Sequence, residues 1–280
     1  MRRSNLFRAL AKKDGPLIKI CGLKDPAVAL YCAEVGVDLV GFIFYPLSPR
    51  HVDPRAVRDI MTPGALRVGV FVEQDGAEIL DIMATARLDL AQLHGEQDLA
   101  TAKAIGPERV IRVFWPSRYG FGKAQDQDQD LNQVRRSAQD QDKAQAQDQL
   151  QDLASGPSFN PDQSLNPSPD LLAADLAKWA EFSTLFLFDA GRAVGGHGQK
   201  LGAFNFPTPK PFLLAGGLEP ADLARLWPNA PANLRGFDFN SGVERAKGVK
   251  DKAAIASLIK AKARLLGLKS GHATRRCFLI

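Results

Sequence analysis

The sequence predicts an α/β protein built as a single (β/α)8 barrel, and three observations carry that prediction. Eight short apolar runs with strand character alternate with helical patterns along 280 residues. Most of these runs exit into a reactive side chain or a glycine-rich tip and then a helix. The glycine-rich tips come late, after the sixth, seventh and eighth runs. An open doubly wound sheet also alternates, but with fewer strands and with its glycine loop after the first. Eight strands close a barrel.

The first run, LIKICGL at 17–23, is apolar enough to be buried and passes through Cys21-Gly22 into Lys24-Asp25-Pro26, a helix start. Further strands are expected at 38–44, 66–72, 88–94 and 109–115, then at 184–190, 212–218 and 236–242. Helical patterns fall between them at 26–35, 54–61, 75–86, 98–104, 171–182, 220–226 and 249–266. One segment breaks the rhythm. Residues 120–169, between the fifth and sixth strands, run through Gln-Asp repeats and then Ser, Pro and Asn. Such a composition buries too little apolar surface to offset its ordering entropy, so a helical or disordered insertion is expected there. The barrel is therefore placed at 17–266, with a basic extension at 1–16 and a basic tail at 267–280.

The net charge of +5 is uneven: residues 1–16 carry +4 and residues 260–280 carry +6, which leaves −5 on the body between them. A nucleic-acid groove needs positive charge on the folded body, so none is expected. No apolar run is long enough to span a membrane. Three scattered cysteines support neither a disulfide framework nor a zinc site, and a reducing, cytoplasmic setting fits best. The N-terminus has no apolar core of a secretory signal. The last four residues, Cys277 to Ile280, have the spacing of a prenylation box, with nothing else pointing to a membrane.

In a barrel of this kind the chemistry sits where strands end. Cys21 closes the first strand, and Lys19 lies two residues earlier on the same face. An ammonium beneath a thiol should lower its pKa and favour thiolate; a buried, inert cysteine has the same sequence signature. Arg50, in the proline-stiffened loop after the second strand, suits a carboxylate, or is simply solvated. Gln92 and His94 share a face at the end of the fourth strand, where a core histidine is an equal reading. Asp189 ends a wholly apolar strand, a costly position for an unused carboxylate, and desolvation there would fit it to donate a proton. The glycines at 195–198, Gly198 among them, form a loop able to close on a ligand. Gly216 and Gly217, with Ser241 and Gly242, leave backbone N–H groups open after the seventh and eighth strands, the usual phosphate cradle of a barrel. Counted round a ring of eight, Cys21 and Asp189 face one another across the mouth. A sugar phosphate held between a base and an acid suits an isomerisation that needs no metal and no redox cofactor.

These residues resemble the phosphoribosylanthranilate isomerases of tryptophan biosynthesis. The likeness is carried by KICG at 19–22, GFIFYP at 41–46 with SPR at 48–50, VGVFV at 68–72 and QLHG at 92–95. It continues through FD at 188–189, GGHG at 195–198, LAGGL at 214–218 and NSGVE at 240–244, covering 17–259 except the insertion. The resemblance implies an Amadori rearrangement, with Asp189 as general acid on the ring oxygen and Cys21 as general base at C2′. It assigns Arg50 to the anthranilate carboxylate, and Gly216, Gly217, Ser241 and Gly242 to the phosphate. Asp238 would orient the anthranilate amine, and Lys19, Gln92, His94 and Gly198 are further candidate contacts. A small phosphoribosyl compound is the expected partner, in a monomer or homodimer. His197 and Asn240 depart from the family pattern, which expects a small residue and a serine there; the insertion and both basic ends lie outside it. A ribotide isomerase of histidine biosynthesis, or a dual-substrate enzyme, is expected to carry a carboxylate where Cys21 stands. A non-catalytic barrel is expected to have lost the acid or the base, and both are present.

Overall fold

The helices begin where short polar side chains replace the missing backbone acceptors. Asp25, Asp53, Asp75, Asp98 and Asp251 each hold an extended backbone and accept hydrogen bonds from N–H groups of the turn that follows. Pro26, Pro54 and Pro220 occupy first-turn positions, where the missing N–H costs nothing. The chain is described by a computed structural model over residues 15–119, 169–189 and 208–267. The Gln-Asp insertion, the 195–198 loop and both basic ends lie outside these residues.

The strands are β1 (Leu17–Ile20), β2 (Leu39–Ile43), β3 (Leu66–Phe71), β4 (Leu90–Leu93), β5 (Val110–Phe114), β6 (Leu185–Asp189), β7 (Phe212–Ala215) and β8 (Leu234–Phe239). All pair in parallel in sequence order, and β8 closes on β1, giving a closed eight-stranded TIM barrel. Around it lie α1 (Pro26–Glu34), α2 (Pro54–Arg58), α3 (Gly76–Thr85), α4 (Leu99–Ile105), α5 (Pro169–Ala180), α6 (Pro220–Leu226) and α7 (Lys252–Leu265).

Two apolar layers follow from strand alternation. Leu17, Leu39, Leu66, Val68, Leu90, Ile111, Val113, Leu185, Leu187 and Leu213 fill the barrel. The alternate residues, such as Ile18, Val40, Phe42, Phe71, Phe186, Phe188 and Phe237, pack outward against the helices. Charges tie the bottom: buried Asp38 accepts from Ile18 N at 2.9 Å and from Lys262 Nζ at 2.5 Å, docking α7 under β1. Among the described residues no helix is long and apolar enough to cross a membrane.

The expected elements shift at their ends for identifiable reasons. The first strand stops at Ile20 rather than Leu23 because Gly22 turns the chain at φ +72°. The seventh stops at Ala215 because Gly216 and Gly217 adopt φ of +104° and +60°. The last helix was expected from residue 249. Instead β9 (Glu244–Ala246) and β10 (Val249–Lys250) form a small antiparallel hairpin, turned at Gly248, and α7 starts after it.

Candidate active site

Each interior series of a strand runs on past the ladder and ends in one cavity. Residues 17, 19 and 21 continue β1; 90, 92 and 94 continue β4; 111, 113 and 115 continue β5; 185, 187 and 189 follow β6; 236, 238 and 240 follow β8. The cavity at the C-terminal mouth has a volume of about 490 Å³ and is lined by Cys21, Arg50, Gln92, His94, Asp189, Gly216, Gly217, Asp238 and Ser241. Its wall on the β2 and β3 side is apolar, built from Ile43, Tyr45, Leu47, Val70 and Val72. Cys21 and Asp189 therefore open onto a common space.

The thiol stands on an ion pair. Lys19 and Asp238 are register partners where β8 closes on β1, and Lys19 Nζ donates to Asp238 Oδ2 at 2.8 Å. Lys19 has no exposed surface and does not line the cavity; it meets Asp238 and the thiol rather than anything that enters. Room for this packing comes from Gly41: a Cβ there would lie 3.0 Å from Cys21 Sγ and 3.1 Å from Lys19 Nζ. The expectation that Lys19 lowers the thiol pKa is half right. Burial pushes the thiol up, Lys19 opposes it, Asp238 adds to it, and the net shift is upward. Desolvation wins because the same ammonium is shared with a carboxylate. Asp238 Oδ1 is buried without a hydrogen-bond partner beside the cavity.

Asp189 sits across from this group at the tip of β6, with 23% of its side chain exposed, so the full desolvation expected of it is only partial. His94 Nε2 lies 3.9 Å from Asp189 Oδ2, and His94 Nδ1 is 3.2 Å from Gln92 Nε2. If the Gln92 amide donates to Nδ1, the remaining ring proton points at the carboxylate. Burial keeps the imidazole pKa below its ordinary value despite the attraction of Asp189, so the ring is neutral at neutral pH. Trp115 and His94 meet in a T-shaped contact, with ring centroids 5.1 Å apart, and Arg118 covers Trp115 at 4.1 Å.

Arg50 reaches the cavity, but one edge of its guanidinium is already held. Nε and Nη2 donate to Glu244 Oε1 and Oε2 at 2.8 and 2.7 Å. Glu244 also accepts from Lys250 Nζ at 2.7 Å, and these two cations hold its pKa down to about 2 against the effect of burial. Lys250 donates as well to Asn240 O at 2.9 Å and Asn240 Oδ1 at 2.7 Å.

At the tips of β7 and β8, Gly216, Gly217 and Ser241 border the cavity, while Gly242 does not. Gly242 is needed for another reason: a Cβ there would lie 2.0 Å from Leu218 O, so only glycine lets the two tips touch. The tip of β8 enters a three-residue 3-10 helix, Ser241–Val243. Gly198 lies outside the described residues.

Sequence reasoning missed Glu244, Lys250 and Trp115. Trp115 was readable, since it is the next inward residue of the fifth strand. Glu244 carried no local signal because its partner Arg50 stands 194 residues away, and Lys250 fell inside the helix expected at 249–266. Among the described residues no cluster of three His, Cys, Asp or Glu is placed to hold a metal ion.

Comparison with known proteins bears on this geometry. A family profile described as N-(5'phosphoribosyl)anthranilate (PRA) isomerase matches residues 18–134 and 121–261. The N-(5'-phosphoribosyl)anthranilate isomerase of Desulfovibrio desulfuricans is 38% identical over 258 residues, covering 90% of this chain and 97% of that one. The crystal structure of phosphoribosyl anthranilate isomerase from Thermus thermophilus aligns with a TM-score of 0.59 at 26% identity, covering 89% of this chain and 99% of that one. A phosphoribosyl anthranilate isomerase in complex with reduced 1-(o-carboxyphenylamino)-1-deoxyribulose 5-phosphate aligns with a TM-score of 0.57 at 25% identity, covering 89% and 98%. On sequence and fold together, this chain belongs to the N-(5'-phosphoribosyl)anthranilate isomerase family of tryptophan biosynthesis.

Proposed function

We propose that the cavity performs the Amadori rearrangement of N-(5'-phosphoribosyl)anthranilate, with Asp189 as general acid and Cys21 as general base. The observation that carries this reading is that the two side chains line one cavity from opposite sides of the barrel. Asp189 gives its proton to the furanose ring oxygen as the C1′–O bond breaks, and the anilino nitrogen's lone pair forms the C1′=N bond of an iminium. The Cys21 thiolate then takes the C2′ proton. The released electron pair becomes a C1′=C2′ bond and neutralises the nitrogen, giving an enolamine whose tautomerisation yields the 2-ketose. Carbon is oxidised at C2′ and reduced at C1′, so no step calls for a metal or an external redox cofactor.

The binding groups fit that course. The N–H groups at Gly216, Gly217 and Ser241 suit the phosphate, and Gly242 holds their loops together. Arg50 takes the aryl carboxylate while the ring lies on the apolar wall from β2 and β3. Asp238 Oδ1, buried and unpartnered, accepts from the anilino N–H and stabilises the iminium. Support for such a ligand comes from the related isomerase bound to a reduced product analogue. Fluorescent phosphoribosylanthranilate supplied to the purified protein tests the assignment: its fluorescence should fall with turnover. Turnover of the histidine-pathway ribotide alone would overturn it.

A further inference from the structure

We propose that Glu244 and Lys250 couple the two anion-holding ends of the cavity, so that a phosphate in the cradle prepares Arg50 for the aryl carboxylate. This inference rests on the two subsites assigned above.

A single carboxylate serves two cations. Glu244 Oε1 accepts from Arg50 Nε at 2.8 Å and from Lys250 Nζ at 2.7 Å, while Oε2 accepts from Arg50 Nη2 at 2.7 Å. Lys250 in turn spends its three ammonium protons on Glu244 Oε1, Asn240 O and Asn240 Oδ1. Asn240 directly precedes Ser241 on the phosphate side, so a continuous chain of charge-assisted bonds runs from the carboxylate clamp to the phosphate loop. The side chains of Arg50, Glu244 and Lys250 are 17%, 5% and 2% exposed, which leaves little room for separate movement.

Packing reinforces the link. A Cβ at Gly22 would lie 2.7 Å from Arg50 Cδ and 3.1 Å from Asn240 Oδ1, so the arginine stem and the asparagine amide close over one glycine beside the thiol. Asn240 stands where the family pattern expects a serine. The structure gives its side-chain oxygen a specific use, holding Lys250. A phosphate that fixes the 240–241 backbone fixes Lys250, and through Glu244 the guanidinium; the ordering cost of the clamp is then met once. The coupling is reciprocal by thermodynamic linkage.

Inorganic phosphate and anthranilate, the two ends of the substrate, serve as separate probes. Two anions in one small cavity repel, so mutual strengthening is not expected without a relay. Anthranilate titrated into the wild-type protein by its own fluorescence should bind about tenfold more tightly in saturating phosphate. Glu244→Gln and Asn240→Ala should each abolish that enhancement and raise KM for phosphoribosylanthranilate about tenfold, with kcat far less affected. Glu244→Asp should restore part of the enhancement. If Glu244→Gln fails to fold, Asn240→Ala, which keeps both buried charges paired, decides the matter. The proposal is overturned if phosphate leaves anthranilate affinity unchanged in the wild type, or if the variants retain its effect. Absence of phosphoribosylanthranilate turnover in the wild type would instead sink the isomerase reading itself.

Discussion

Lys19 and Asp238 meet at 2.8 Å on the seam where β8 closes on β1, one wholly buried and the other nearly so. The pair closes the barrel and underlies the cavity floor, which Asp238 lines and Lys19 does not. A charge so deeply buried is tolerated only while its partner remains. Lys19→Met should therefore destabilise the protein by about 3–5 kcal/mol, as the loss of one member of a buried pair does. Denaturant unfolding measures it. The double variant Lys19→Met, Asp238→Asn should recover a large part of that loss; a purely additive result would show the pair is not coupled.

With Cys21 as the proposed base, its upward-shifted thiol predicts the pH dependence of the reaction. Burial raises the Cys21 pKa and Lys19 only moderates it, so thiolate grows as pH rises and kcat/KM should climb on the alkaline side of neutrality. Lys19→Gln removes the group that favours thiolate and should move that limb to higher pH. Cys21→Ala and Asp189→Asn should each lower kcat by about 10²-fold or more. An unchanged rate in either variant would remove that residue from the proposed mechanism.

Gly41 gives a sharper test of the same floor. Its missing Cβ would fall 3.0 Å from Cys21 Sγ, 3.1 Å from Cys21 Cα and 3.1 Å from Lys19 Nζ. One of those atoms is the Cys21 backbone, which cannot swing away as a flexible side-chain tip can. Gly41→Ala should cost about 1–3 kcal/mol in stability through overpacking. By displacing Cys21, the proposed base, it should also lower kcat by about tenfold, with little change in KM. Equal losses in kcat and in the folded fraction would reduce the effect to one of stability alone.

The barrel was legible in the sequence because its cause is local. Each strand alternates between an inward and an outward residue, and the inward series 17–19–21 and 185–187–189 lead straight to the thiol and the carboxylate. What stayed hidden depends on long-range register. That Asp238 claims the Lys19 ammonium follows only from the pairing of β1 with β8, 219 residues apart, and with it went the direction of the thiol shift. The Arg50–Glu244 pair spans 194 residues. Lys250 looked like the first turn of a helix because the apolar pattern of α7 continues back through Val249. The hairpin with Glu244–Ala246 took those residues instead, and Lys250 turns inward onto Glu244 and Asn240.

Glu244 ties the stability of the fold to acid pH. Its folded pKa is depressed from 4.5 to about 2, against the effect of burial, because Arg50 and Lys250 bond to the ionised form. A group whose folded pKa lies below its unfolded value binds more protons in the unfolded state, so its stabilising contribution is present above the unfolded value. It then declines as pH falls toward the folded value. The stability difference between wild type and Glu244→Gln should thus be constant above pH of about 5.5 and shrink steadily between about 4.5 and 2, as read from denaturant midpoints over that range. Glutamine keeps the shape but not the charge, so cavity effects cancel from the pH-dependent part. A difference that stayed flat across that window would mean that Glu244 is not held ionised by its two cations, and the relay between the clamp and the phosphate loop would lose its charge.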